Sequence, residues 1–112
     1  MWLMTKFGFY SVVEKQEDKE IGGVTIRSRV RSDLEALREY VPQMGDIEAN
    51  TGTDYRFRIR VPKSAFATAL SKISLDIDYD NFKNVVGRKQ GKSRANYYGK
   101  VWDILYELDE SE

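Results

Sequence analysis

Two stretches of this chain alternate more strictly than anything else in it. In Val24-Thr25-Ile26-Arg27-Ser28-Arg29-Val30-Arg31, the set Val24, Ile26, Ser28, Val30 interleaves with Thr25, Arg27, Arg29, Arg31. In Tyr55-Arg56-Phe57-Arg58-Ile59-Arg60-Val61, aromatic and aliphatic residues interleave with Arg56, Arg58 and Arg60. A period of two puts successive side chains on opposite sides of an extended strand, whereas a helix would scatter both sets around its circumference. Both stretches therefore predict strands with one buried and one wet face, the pattern of an antiparallel sheet covered on one side.

The rest of the chain supplies the cover. Residues 2 to 14 are rich in aromatic and β-branched types and predict a strand, with Gly8 marking a bulge or bend. The charged segment from Gln16, closed by Gly22-Gly23, predicts a hairpin loop. Ser32-Asp33-Leu34-Glu35 has the spacing of a capping box, Leu34, Leu37 and Val41 follow as a buried stripe, and Pro42 ends that helix. A weak strand at 46–50 and a turn at Gly52 precede the second arginine strand, which Pro62 closes. Ser64 is the expected cap of a helix with the stripe Phe66, Ala69, Leu70 and Ile73. After an acidic joint at 76–80, with Asp78 or Asp80 as cap, helical spacing resumes at Phe82, Val85 and Val86. It weakens through Gly87 and Gly91, then returns at Tyr98, Val101, Leu105 and Leu108. The end from Glu107 to Glu112 is expected to fray.

The expected fold is α+β: a two-layer sandwich in the order ββαββαα, with about four antiparallel strands and all helices on one face. At 112 residues the chain is expected to form a single domain over 1–112. A chain of that size buries roughly 65% of the surface its unfolded form exposes, enough for one core without staples.

Composition excludes several classes of chemistry. With no cysteine there is no disulfide framework, thiolate nucleophile or thiolate zinc site. With no histidine, the commonest general base and metal ligand are missing, together with every Ser-His arrangement. The reading is therefore of a non-enzymatic protein without cofactor or metal. The N-terminal segment lacks a basic n-region and a small-residue cleavage site, and no stretch approaches the roughly 20 apolar residues of a membrane span. A cytoplasmic location without membrane attachment is expected.

Two segments imitate ligand-binding motifs. Gly87-Arg88-Lys89-Gln90-Gly91-Lys92-Ser93 has three residues between its glycines where a phosphate-binding P-loop has four, and no strand is expected before it. Asp76-Ile77-Asp78-Tyr79-Asp80-Asn81 begins like a calcium loop. Asn81 then stands at the glycine turn position, and Gly87 where a bidentate glutamate is needed.

Net charge is zero, so electrostatic recognition requires charge segregated within the fold. Two segregations are visible. If both alternating strands share one half-covered sheet, Arg27, Arg29, Arg31, Arg56, Arg58 and Arg60 all point to its open face. Lys6, Tyr10 and Glu14 would join them from the first strand, and Glu48 and Asn50 from the weak third one. Separately, Lys83, Arg88, Lys89, Lys92, Arg94 and Lys100 have no acid among them. Guanidinium forks suit phosphate and carboxylate, and basic groups around an aromatic are how several open sheets bind RNA. Stacking on this face is not obvious from the sequence: only Tyr10 is a candidate, since Phe57 falls on the inward set.

The segments Trp2 to Val13, Arg27 to Leu37, Gly52 to Arg56, Asp78 to Lys83 and Val101-Trp102 resemble a family of small bacterial and phage proteins. That resemblance spans nearly the whole chain but carries no established activity and no functional residue. The leading expectation is a binding module whose arginine face engages nucleic acid or another polyanion, with Arg88, Lys89, Lys92 and Arg94 as a second patch. The alternative is a protein-contact or self-associating module anchored by Trp2, Phe9 or Trp102. A hydrolase built on Asp76, Asp78 or Asp80 is a third. Cross-strand Glu14 and Glu48 decide between binding and plain solvation: if they neutralise the arginines, the face is only a wet surface.

Overall fold

A computed structural model of the chain describes residues 1–50 and 52–109. Its contacts divide into two compact units, Met1–Asp78 and Tyr79–Glu112. The class is α+β, as the alternation requires.

The first unit holds one antiparallel sheet in the order β1-β2-β3-β5-β4. Its strands are β1 (Trp2–Met4), β2 (Phe9–Val13), β3 (Gly23–Ser28), β4 (Glu48–Ala49) and β5 (Phe57–Pro62). Its helices are α1 (Gln16–Ile21), α2 (Arg31–Leu37) and α3 (Lys63–Leu75). The two alternating segments are direct neighbours at the centre of the sheet. Ile26 stands opposite Ile59, Arg27 opposite Arg58 and Val24 opposite Val61.

The covered face carries the core. Tyr10, Val12, Val24, Ile26, Ile59 and Val61 of the strands meet Leu34 and Leu37 of α2 and Ala65, Phe66 and Ala69 of α3. Val41, Met44 and Ile47 of the connecting segment close it. Each fully buried aliphatic side chain contributes about 1.5–3 kcal/mol by leaving water. This core is what holds the sheet's open face in register.

The first strand differs from its expected form. Residues 2 to 14 make two strands, because Thr5 to Gly8 form a tight turn. Thr5 donates its N–H (2.8 Å) and its hydroxyl (2.9 Å) to the Gly8 carbonyl, and its Oγ1 accepts from the N–H groups of Phe7 and Gly8. The turn consumes residues outside the alternation, so the parity counted from Trp2 does not carry over to β2. Tyr10 consequently points into the core, fully buried, with its hydroxyl on the Asp33 carbonyl. The strand count rises to five for the same reason.

The expected hairpin loop after β2 is instead the short helix α1, ended by Gly22 in the left-handed region at φ 66°. This helix lies against the face opposite α2 and α3, since its buried Asp18 bonds outward-facing Thr25 of β3. The helices therefore do not all share one face. Caps differ too. Val30 precedes α2 and Pro62 precedes α3, neither through a side-chain bond, so Ser32 and Ser64 fall inside their helices. Glu35 is held by Arg31 and Arg38 rather than by a capping box.

The second unit is a helical hairpin, α4 (Phe82–Gln90) and α5 (Lys92–Leu105). The Asn81 side chain caps α4 by accepting the Asn84 N–H at 2.9 Å, a role expected of Asp78 or Asp80. Gly91 turns the chain at φ 99°, ψ 164°, a conformation that side chains other than hydrogen rarely allow. Val85, Val86, Ala95 and Tyr98 are buried, and the Phe82 ring stacks on Tyr98 at 5.9 Å and 7°. A Cβ built on Gly87 would lie 3.8 Å from that of Ala95, so the two helices run close together there. The P-loop imitation is thus the hinge of a helical hairpin. No helix among the described residues is long and apolar enough to cross a membrane. Of the end expected to fray, residues 110–112 lie outside the described residues.

Candidate functional site

Strand register sets out the open face as rows. The central row runs Trp2, Ser11, Arg27, Arg58, Glu48 across β1, β2, β3, β5 and β4. Directly opposed residues of an antiparallel pair point the same way, so these five share the face turned away from the core. At about 4.8 Å per strand, Trp2 and Arg27 stand about 10 Å apart. The next row is Val13, Thr25, Arg60.

The Thr25 end of this face is covered. Asp18 of α1 accepts from the Lys15 N–H and the Thr25 hydroxyl, both at 2.8 Å, and is fully buried. Burial pushes its pKa up. The two hydrogen bonds and the positive charges of Arg60 and Lys15 outweigh that, and the pKa ends below the usual carboxylate value. Arg60 itself pairs with Glu17 of α1 at 3.1 Å. One arginine of the second ladder is thereby neutralised.

The opposite end has a different character. The guanidinium carbons of Arg27 and Arg29 lie 4.6 and 4.8 Å from the ring centroid of Tyr55. Tyr55 precedes β5 and folds across the arginine side of the sheet, where it is nearly buried. Arg27 donates one bond to Ser11 Oγ at 2.7 Å, and Arg29 one to the Asp54 carbonyl at 3.3 Å. Arg58, only 8% exposed, donates to Thr53 Oγ1 at 2.9 Å and to the Tyr55 carbonyl at 3.2 Å. The Nε atoms of Arg27 and Arg58 are buried without an acceptor. Arg56 is exposed, its guanidinium 5.4 Å from the Phe57 ring centroid.

The carboxylates expected to neutralise this face are directed elsewhere. Glu14 pairs with Lys63. Glu48 stands opposite Arg58 in register and still makes no ion pair with it. Among the described residues no carboxylate comes within ion-pair distance of Arg27, Arg29, Arg56 or Arg58. Buried charge without a counter-ion is costly, and a pair of like charges placed directly opposite adds to that cost. The positive charge at this end of the sheet is therefore not neutralised by any side chain among the described residues.

The remaining candidates separate from this cluster. Arg31 opens α2 and pairs with Glu35 at 4.0 Å, because β3 ends at Ser28. Lys6 lies in the Thr5–Gly8 turn and reaches the Asp76 carbonyl at 2.8 Å and Asp78 at 3.0 Å. Tyr10 is in the core and offers no stacking surface. The aromatics on the face are instead Trp2, 73% exposed and edge-on to Phe9 at 5.8 Å, and Tyr55. The sequence pointed to Trp2 only as an anchor for a protein contact, not as a member of the arginine face. It did not point to Tyr55 at all, since Tyr55 sits at the start of a strictly alternating run.

The basic block belongs to the second unit. Arg88 and Lys89 end α4 and Lys92 begins α5, all exposed around the Gly91 turn. Arg94 is half-buried and turns to Tyr98, whose hydroxyl is 3.4 Å from its Nη1. Cations in the last turn of α4 suit the negative end of its dipole, which accounts for Arg88 and Lys89 without a ligand. The acidic joint makes no cluster. Asp76 accepts the Tyr40 hydroxyl at 2.8 Å while Asp78 meets Lys6, so the two carboxylates serve different partners. Burial, then the bond and charge of Asp76, push the Tyr40 phenol up to about 12. A hollow of about 310 Å³ beside them is lined by Glu39, Tyr40, Lys72, Leu75 and Asp76. Among the described residues, no group of three or more acids converges as metal ligands would.

No family model, curated protein or solved structure matches this chain.

Proposed function

We propose that the chain is a non-enzymatic binding module and that the end of its sheet around Arg27, Arg29, Arg58 and Tyr55 takes up a polyanion, nucleic acid foremost. One observation carries the reading. Arg27 and Arg58 stand opposite each other in register, with exposed Arg29 and Arg56 beside them, and none of the four has a carboxylate partner among the described residues. Phosphate oxygens suit the exposed guanidinium groups of Arg29 and Arg56, since a guanidinium presents planar pairs of N–H groups that fit them bidentately. Exposed Trp2 lies in the same row about two strands away and offers a base a stacking partner. A cytoplasmic location fits such a ligand.

Fluorescence anisotropy with labelled single-stranded DNA, RNA and duplex DNA at low salt tests it. Binding should weaken steeply as salt rises, with a log–log slope of roughly −2 to −3 for three or four phosphate contacts on a single strand. Replacing Arg27, Arg29, Arg56 and Arg58 together by serine should abolish retention. Absence of binding to all three probes at low salt sinks the proposal.

A further inference from the structure

The second unit carries a different exposed surface, and it is apolar. The last part of α5 and the turn after it read Val101, Trp102, Asp103, Ile104, Leu105, Tyr106, Glu107, Leu108. Every apolar one of these is exposed, with Ile104 and Leu108 at 66% and 68%. A helix end that is apolar nearly all round is not a solvated helix end. Within it, Tyr97, Val101, Ile104 and Leu108 recur at spacings of four, three and four, the seam of a coiled coil. Tyr97 is likewise exposed, and Leu105 widens the seam. The turn from Tyr106 to Leu108 continues the helical screw, with the N–H groups of Glu107 and Leu108 on the carbonyls of Ile104 and Leu105.

Charge selects the occupant and its direction. Lys100 and Glu107 are seven residues apart, so they flank the same edge of this seam two turns from each other. In an antiparallel pair of α5 helices these flanking positions face their own equivalents. Lys100 of each copy then meets Glu107 of the other, twice over by symmetry. A parallel pair would set Lys100 against the apolar Leu105 edge and leave the charges unmatched. The area suffices. Tyr97, Val101, Ile104, Leu105 and Leu108 can each bury about 100 Å², which gives about 1,000 Å² over two copies, the least that a specific interface needs. We infer that the chain self-associates through this seam as an antiparallel α5–α5 dimer of modest affinity, independently of any ligand on the sheet.

Sedimentation equilibrium of the full chain over a wide concentration range tests this. The expected result is a reversible rise from 13.0 kDa towards twice that mass. Ile104→Glu, an exposed position whose replacement leaves the hairpin packing intact, should hold the protein monomeric with an unchanged circular dichroism spectrum. Lys100→Glu and Glu107→Lys should each weaken the dimer several-fold, and the two together in one chain should restore it. A protein that stays monomeric at every concentration, or a dimer indifferent to Ile104→Glu, overturns the inference. Failure of the double exchange to restore association overturns the antiparallel arrangement.

Discussion

Arg27 and Arg58 face each other across the central β3–β5 ladder, and their guanidinium groups find a serine, a threonine and a carbonyl for partners in place of a carboxylate. Two like charges in that position work against the fold, by about 0.2–1 kcal/mol for a directly opposed pair. The stems do pack, so the cost falls on the charge rather than on the side chain as a whole.

Arg58→Met, which keeps the stem and removes the charge, should therefore stabilise the protein slightly at low salt, by at most about 1 kcal/mol. The advantage should shrink as salt screens the wild-type pair. Urea midpoints of both proteins at low and moderate salt measure this. Loss of polyanion binding together with unchanged or raised stability is the expected combination.

Asp18 ties α1 to the sheet through the Lys15 N–H and the Thr25 hydroxyl. Asp18→Ala should cost about 1–3 kcal/mol, because it strands buried donors. Its lowered pKa sets the sign of the pH effect. The contribution is present above 3.8, the ordinary value, and is lost as pH falls through the lower folded value. Wild-type urea midpoints should fall with acid more steeply than those of Asp18→Ala.

Tyr40 titrates at the other extreme. Its folded pKa of about 12 exceeds the ordinary 10.0, so its contribution is complete below 10.0 and is lost as pH rises towards 12. Ultraviolet titration of tyrosinate should show a late-ionising phenol in the wild type that is missing from Tyr40→Phe. The phenylalanine variant should also lose less stability over that alkaline interval.

Gly91→Ala tests the hairpin. At φ 99° and ψ 164° a Cβ is strained whatever space surrounds it, and no atom lies within 4 Å to blame instead. The substitution should cost about 1–3 kcal/mol. Gly45→Ala, with open space and no positive φ, should be close to neutral under the same urea titration.

What sequence alone determined is local and periodic. Alternation placed Ile26 and Ile59 inward and Arg27 and Arg58 outward, because pleating leaves a strand residue only two directions. The stripes Leu34-Leu37 and Phe66-Ala69 were legible for the same kind of reason, with the helical period in place of two. Tertiary structure decided everything that depends on where an alternation restarts or what lies across from it. The Thr5–Gly8 turn reset the parity of β2 and sent Tyr10 into the core. Tyr55 lies outside β5, so it was free to fold over to the arginine side. Pairing partners were not legible at all. Glu14 went to Lys63 and Glu17 to Arg60, contacts between residues dozens of positions apart that no spacing rule encodes. Residue order therefore determined that arginines would line one face. Only the packed structure decided which of them are neutralised, Arg60 by Glu17 of α1 and Arg31 by Glu35 of α2, and which keep no carboxylate partner among the described residues.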